Sequence, residues 1–138
     1  MFDSLNYLTK KQDLLKVFRK VKQLLSQNGI FIFDMNTFEG LQDGWCRIST
    51  TYENNLTLIV ETSFNPKRAI GHCLITGFIS EGKLHRKFQE KHIERGYKAK
   101  EIESLLDKAG FLFKKYDGNS LNRPNKRSGR LMYICEKK

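Results

Sequence analysis

Two polar side chains, Asp34 and Asn36, follow the apolar run Ile30-Phe-Ile-Phe33, and here the sequence first offers chemistry. A short, uniformly apolar run predicts a strand buried on both faces, as in a parallel α/β sheet. In open α/β sheets, ligands sit in the crevice beyond the carboxyl ends of the strands. A carboxylate and an amide leaving the strand there are candidate ligand-holding groups, although Asp and Asn at strand ends are also common turn formers. His92 is a second candidate. An imidazole with an ordinary pKa of about 6.5 suits proton transfer near neutrality, yet a strand histidine satisfied by a neighbour looks the same in sequence. His72, His85 and His92 with Cys46, Cys73 and Cys135 show no metal-ligand spacing, so no metal site is predicted. Neither a serine–histidine–acid arrangement nor a G-x-G-x-x-G cluster occurs, and Gly71, Gly77 and Gly82 are too far apart to cradle a phosphate or ribose.

The 138 residues suit one domain with a core of ordinary size. Apolar residues at 39% and charged residues at 29% argue against both disorder and a membrane protein. No apolar run approaches the ~20 residues of a membrane span, and Met1-Phe2-Asp3 does not begin a secretory signal. The cysteines, odd in number and far apart, predict reduced, mostly buried thiols in a cytoplasmic protein. A formal net charge of +10 raises the question of nucleic acid. The basic residues are spread along the chain, so a solvated face is the expectation and a surface for nucleic acid or an acidic partner the alternative.

These residues need elements to position them. Thr9 and Gln12 have capping-box spacing, and Leu14, Leu15, Phe18, Val21, Leu24 and Leu25 recur at helical steps. A helix is predicted over 10–27, stopped by Asn28-Gly29. Residues 2–8 read as a loop, and 37–44 as a polar connection with at most one helical turn. Strand segments at 46–52, 56–64, 70–80 and 83–95, joined by short turns, predict an antiparallel meander. A second helix over 98–109 ends at Gly110, followed by strands at 111–116 and 130–136 around the long loop 117–129.

This order, with the stretches Phe2-Asp-Ser-Leu-Asn-Tyr-Leu8, Gly29-Ile-Phe-Ile-Phe-Asp-Met-Asn36, Glu90-Lys-His-Ile-Glu-Arg-Gly-Tyr97, Ala109-Gly-Phe111 and Arg130-Leu-Met-Tyr-Ile-Cys135, resembles the C-terminal half of class I S-adenosylmethionine-dependent methyltransferases. The likeness is to the small-molecule group with an antiparallel insert after the fifth strand. It implies an α/β fold: half of a Rossmann-like sheet from residues 1–36 and 96–138, with an inserted antiparallel sheet at 37–95 over the substrate side. The 30–34, 111–116 and 130–136 strands should form a partly parallel sheet, the last antiparallel to its neighbours. By the resemblance, Asp3 and Asn6 lie beside the cofactor's methionine end. Asp34 and Asn36 stand at the lip of a pocket for a small-molecule methyl acceptor, lined also by Trp45, Tyr52, His92, Arg95 and Tyr97.

The sequence departs from that family in one large respect. The glycine-rich turn and the ribose-binding acid of the family's first strands have no match. The implied function is a partial methyltransferase that contributes substrate-side residues, is inactive alone and does not bind S-adenosylmethionine tightly. A strand at 30–34 without its usual neighbour offers a free edge for self-association, and Leu14, Phe18 and Val21 are expected to be partly exposed. A stand-alone basic module binding nucleic acid or an acidic partner is the alternative function.

Overall fold

The computed structural model describes residues 3–138. A 3-10 turn, Ser4–Tyr7, leads into helix α1 (Lys11–Leu24) and strand β1 (Ile30–Asn36). Helix α2 (Phe38–Gly44) connects to four strands, β2 (Ile48–Glu53), β3 (Leu56–Asn65), β4 (Ile70–Glu81) and β5 (Leu84–Arg95). Helix α3 (Ala99–Ala109), β6 (Phe111–Asp117) and β7 (Arg130–Lys137) complete the chain. The helix expected over 10–27 is shorter, and no side chain caps its start, so the Thr9–Gln12 capping box does not form. The Thr9 carbonyl instead accepts a hydrogen bond from Arg95 at 3.2 Å. The polar connection after β1 is longer in helix than expected, because the Thr37 hydroxyl accepts from the Gly40 amide at 2.9 Å and caps α2.

The strands form two sheets. One has the order β1-β7-β6, and β7 runs antiparallel to both neighbours. The last strand is thus antiparallel to its neighbours, as expected, but the expected partly parallel pairing is absent. β1 and β6 do point the same way, but β7 lies between them, so no two bonded strands of this sheet are parallel. The other sheet is the expected meander, β2-β3-β4-β5, antiparallel throughout.

The core lies on one face of the first sheet. Leu14 and Phe18 of α1 and Ile102, Leu105 and Leu106 of α3 pack against Phe33, Met35, Leu131, Tyr133 and Cys135. Phe33 stacks on Tyr133 with centroids 5.1 Å apart, and Phe18 leans on Phe33 at 5.3 Å. Leu14 and Phe18 are fully buried and Val21 is partly buried, so the exposure expected of α1 does not occur for the first two. The opposite face of the sheet overturns a second expectation. Ile30 and Ile32 are 55% and 53% exposed, so β1 is covered on one face only, both helices having packed on the other. Leu112 on β6 shares that open face and is equally exposed. Within the described residues β1 bonds to β7 alone, so its other edge is free.

Cys135 is buried and Cys73 partly so, but Cys46 is exposed, contrary to expectation. Where β1 ends, backbones meet closely. A Cβ on Gly40 would stand 1.9 Å from the Gly129 carbonyl oxygen, so only glycine fits there. The Thr37 amide also donates to that carbonyl at 3.0 Å, which fixes the start of α2 against the chain entering β7. Among the described residues, no helix is long and apolar enough to cross a membrane.

Candidate functional site

The meander's faces decide which of its side chains can reach the end of β1. In an antiparallel sheet, residues directly opposite one another project to the same side. Gly71, Cys73, His92 and Glu94 are matched in register on one side, and Trp45 lies against Gly71 on that side. Glu94 and His92 both contact residues around the end of β1, so this side roofs the first sheet. Tyr52, opposite Thr57, has the other parity and is 78% exposed.

Asn6 organises the junction. It is 0% exposed, and its amide nitrogen donates to the carbonyls of Asn36 at 2.9 Å and Arg95 at 2.8 Å. Its carbonyl oxygen accepts the Asn36 amide at 3.0 Å. One side chain thereby joins the Ser4–Tyr7 turn, the end of β1 and the end of β5. Asp3, which starts that turn, has a left-handed backbone with φ of 31°, a region that Asp tolerates better than most residues. The Asn36 side chain donates to Asp3 at 3.1 Å and to Glu94 at 3.2 Å, bridging two carboxylates. Arg130 pairs with Asp3 at 2.6 Å and Asp34 at 3.4 Å. Asp3, Asn36 and Arg130, with Gly40, Trp45, Asn119 and Gly129, line a cavity of about 410 Å³.

Beside this network, the Tyr7 hydroxyl lies 2.7 Å from His92 Nδ1 and the rings meet edge to face. His92 Nε2 is 3.3 Å from a Glu90 carboxylate oxygen. Burial first, then the charges of Glu94 and Asp3, pushes the Tyr7 hydroxyl above its ordinary value. Tyr7 therefore keeps its proton at neutral pH and sits with Glu90 on either side of the His92 ring.

Of the residues anticipated from sequence, the structure gathers Asp3, Asn6, Asp34, Asn36, Trp45 and His92. Arg95 and Tyr97 are turned elsewhere. Arg95 points to Thr9 and Glu101 and lies over the Tyr97 ring, and Tyr97 is 1% exposed with its hydroxyl on the Leu8 carbonyl. Tyr7, Glu94 and Arg130 complete the cluster and were not singled out. Glu94 had a legible signal, since it stands two residues from His92 on the same strand face. No group of His, Cys, Asp and Glu among the described residues could hold a metal ion.

Glu94 carries a pH prediction. It is 4% exposed, and burial raises its pKa, an effect opposed by the Asn36 hydrogen bond, reinforced by Asp3 and opposed again by Arg130 and His92. A carboxyl with a raised pKa holds its proton longer when folded, so its ionisation costs stability as pH rises through the folded value. Glu94→Gln keeps an oxygen for Asn36 and removes that cost. The variant should match the parent at about pH 4 and be the more stable of the two at about pH 7, read by urea denaturation. Equal stabilisation at both pH values would contradict this cause.

Comparison with known proteins agrees with this architecture. No protein-family model matches the chain. It is 25% identical over 138 residues to YqeM of Bacillus subtilis (strain 168), a protein assigned to the methyltransferases, covering 98% of this chain and 56% of YqeM. An S-adenosylmethionine-dependent methyltransferase from Clostridium acetobutylicum ATCC 824 superposes with a TM-score of 0.87 at 28% identity, over 98% of this chain and 55% of that one. DesVI of Streptomyces venezuelae shares the fold at a TM-score of 0.79 and 19% identity, over all of this chain and 56% of DesVI. What the chain resembles is thus a methyltransferase, S-adenosylmethionine-dependent in the Clostridium acetobutylicum structure. The chain spans about half the length of the relatives it matches.

Proposed function

We propose that the chain is the C-terminal, substrate-side half of an S-adenosylmethionine-dependent methyltransferase and is inactive alone. The observation that carries the reading is the polar cluster at the end of β1, roofed by the meander, in a fold that matches such enzymes over about half their length. Methyl transfer is an in-line displacement on an activated carbon, so aligning the acceptor and excluding water matter more than acid–base power. Asp34, Asn36, Trp45 and His92 suit the acceptor side, with Asp3 facing the cofactor's methionine end. Asn6 serves by holding Asn36 and β5 in place. The cofactor supplies an electrophilic methyl group when bound, and this chain's residues orient the acceptor towards it. The relatives whose structures carry amino-pentose and sugar N-methyltransferase names make a small-molecule acceptor the natural class. Titration of S-adenosylmethionine into the chain, with and without the remaining half of a relative, tests the reading.

The free edge of β1 is the second part of the proposal. An unpaired strand edge beside exposed Ile30, Ile32 and Leu112 is a template for another strand. The isolated chain should self-associate there, more at high salt, because a net charge of +10 repels at low salt. Sedimentation across a concentration series at two ionic strengths checks this. A monomer throughout would show that the edge is protected.

A further inference from the structure

The largest cavity described, about 540 Å³, has no part in the methyl-acceptor reading. It lies between the first turn of α3 and the loop before β7, and is lined by Lys98, Lys100, Lys115 and Lys126, with Leu131 in its wall and Glu39 its one acid. We propose that this cavity binds a small polyphosphate, of the kind carried by inorganic pyrophosphate or a nucleoside diphosphate.

Charge is the first argument. Lys115 is held by Glu103 at 2.5 Å, and Lys98 rests over the Phe38 ring at 5.3 Å. Lys100 and Lys126 have no ion-pair partner among the described residues. The lining brings four lysines to one acid, Glu39, and this excess of positive charge is what an anion would balance. Adjacent phosphate groups match both Lys100 and Lys126. Lysine suits this role, as a strongly hydrated point charge that needs no bidentate geometry.

The helix adds to it. Ala99 and Lys100, which line the cavity, belong to the first turn of the 11-residue α3, where the backbone amides carry the helix's positive end. Glu101 in the same turn does not cancel this. Its carboxylate accepts the Lys98 amide at 2.9 Å and is engaged by Lys11 at 2.5 Å and Arg95 at 3.7 Å. The cavity volume falls within the range of small-molecule sites. Thr37 and Ser128 line it, while their chain neighbours Asn36 and Gly129 line the cavity of the polar cluster, so the two sites adjoin across the end of β1.

The test is calorimetry with inorganic pyrophosphate at about 50 mM salt, where surface charge is screened within about 14 Å. Lys100→Gln combined with Lys126→Gln should weaken binding about tenfold, whereas Lys10→Gln with Lys20→Gln, exposed just before and on α1, should change it less than about twofold. In the unaltered chain, pyrophosphate should shift the backbone amide resonances of Thr37, Ala99 and Leu131, a readout that needs no variant. Equal weakening by both pairs would mean diffuse attraction to a basic protein and overturn the proposal. So would the absence of binding at millimolar pyrophosphate. A single-stranded RNA oligonucleotide supplies the other arm. RNA binding that survives Lys100→Gln with Lys126→Gln, without pyrophosphate binding, would replace a polyphosphate site with an extended nucleic-acid surface.

Discussion

Asn6→Ala should destabilise the chain by on the order of 4 kcal/mol, the largest loss expected from any single polar side chain here. The residue is fully buried and makes three hydrogen bonds, all to backbone groups. Alanine leaves the Asn36 amide, the Asn36 carbonyl and the Arg95 carbonyl short of a partner in a place that water does not reach. Each such loss costs about 1–3 kcal/mol, and the three losses together set the size of the expected effect. Asn6→Asp should also fail, since a carboxylate accepts but cannot donate to the two carbonyls. A control is Asn55→Ala, whose exposed amide reaches Ser80 at 3.4 Å and whose loss should stay within about 0.5 kcal/mol. Urea denaturation followed by circular dichroism checks both. A loss of about 1 kcal/mol or less at Asn6 would show that the turn, β1 and β5 hold together without it.

The physical reasons behind the legible and the illegible parts of this chain differ. Helical periodicity placed α1 and α3 because each buries a continuous stripe, and Gly110, with φ of 83°, marked the end of α3. Alternation placed the meander. The apolar run Ile30–Phe33 was read as buried on both faces because sequence reports hydrophobicity and not what covers it. Ile30 and Ile32 are exposed because both helices chose the other face. Asp34, Asn36 and His92 were legible from their position at strand ends and within a strand. Tyr52, Arg95 and Tyr97 looked alike in sequence but diverge in space. Tyr52 has the wrong parity on β2, and Arg95 follows Glu94 on β5 and so projects to the other side. Tyr97 lies beyond the strand and is drawn into the core by the Leu8 carbonyl. The Tyr7–His92 contact joins residues 85 apart, a pairing that no local pattern encodes.

The affinity for S-adenosylmethionine is the other large expected effect. A micromolar site requires about 8 kcal/mol of binding free energy and a millimolar one about 4. The chain offers Asp3, Asn36 and neighbouring polar groups around an open cavity of about 410 Å³, and Asn6 is fully occupied by backbone. It has no glycine-rich turn of the kind whose amides approach a nucleoside closely. The remaining 4 kcal/mol or so must then come from the part of the relatives that has no counterpart here, a thousandfold difference in affinity. Titration calorimetry of S-adenosylmethionine into the isolated chain is the most direct measurement. The account predicts no binding tighter than about millimolar for the chain alone, with tighter binding only when the remaining half of a relative is added. A micromolar dissociation constant for the chain alone would contradict it, because these residues would then form a complete cofactor site.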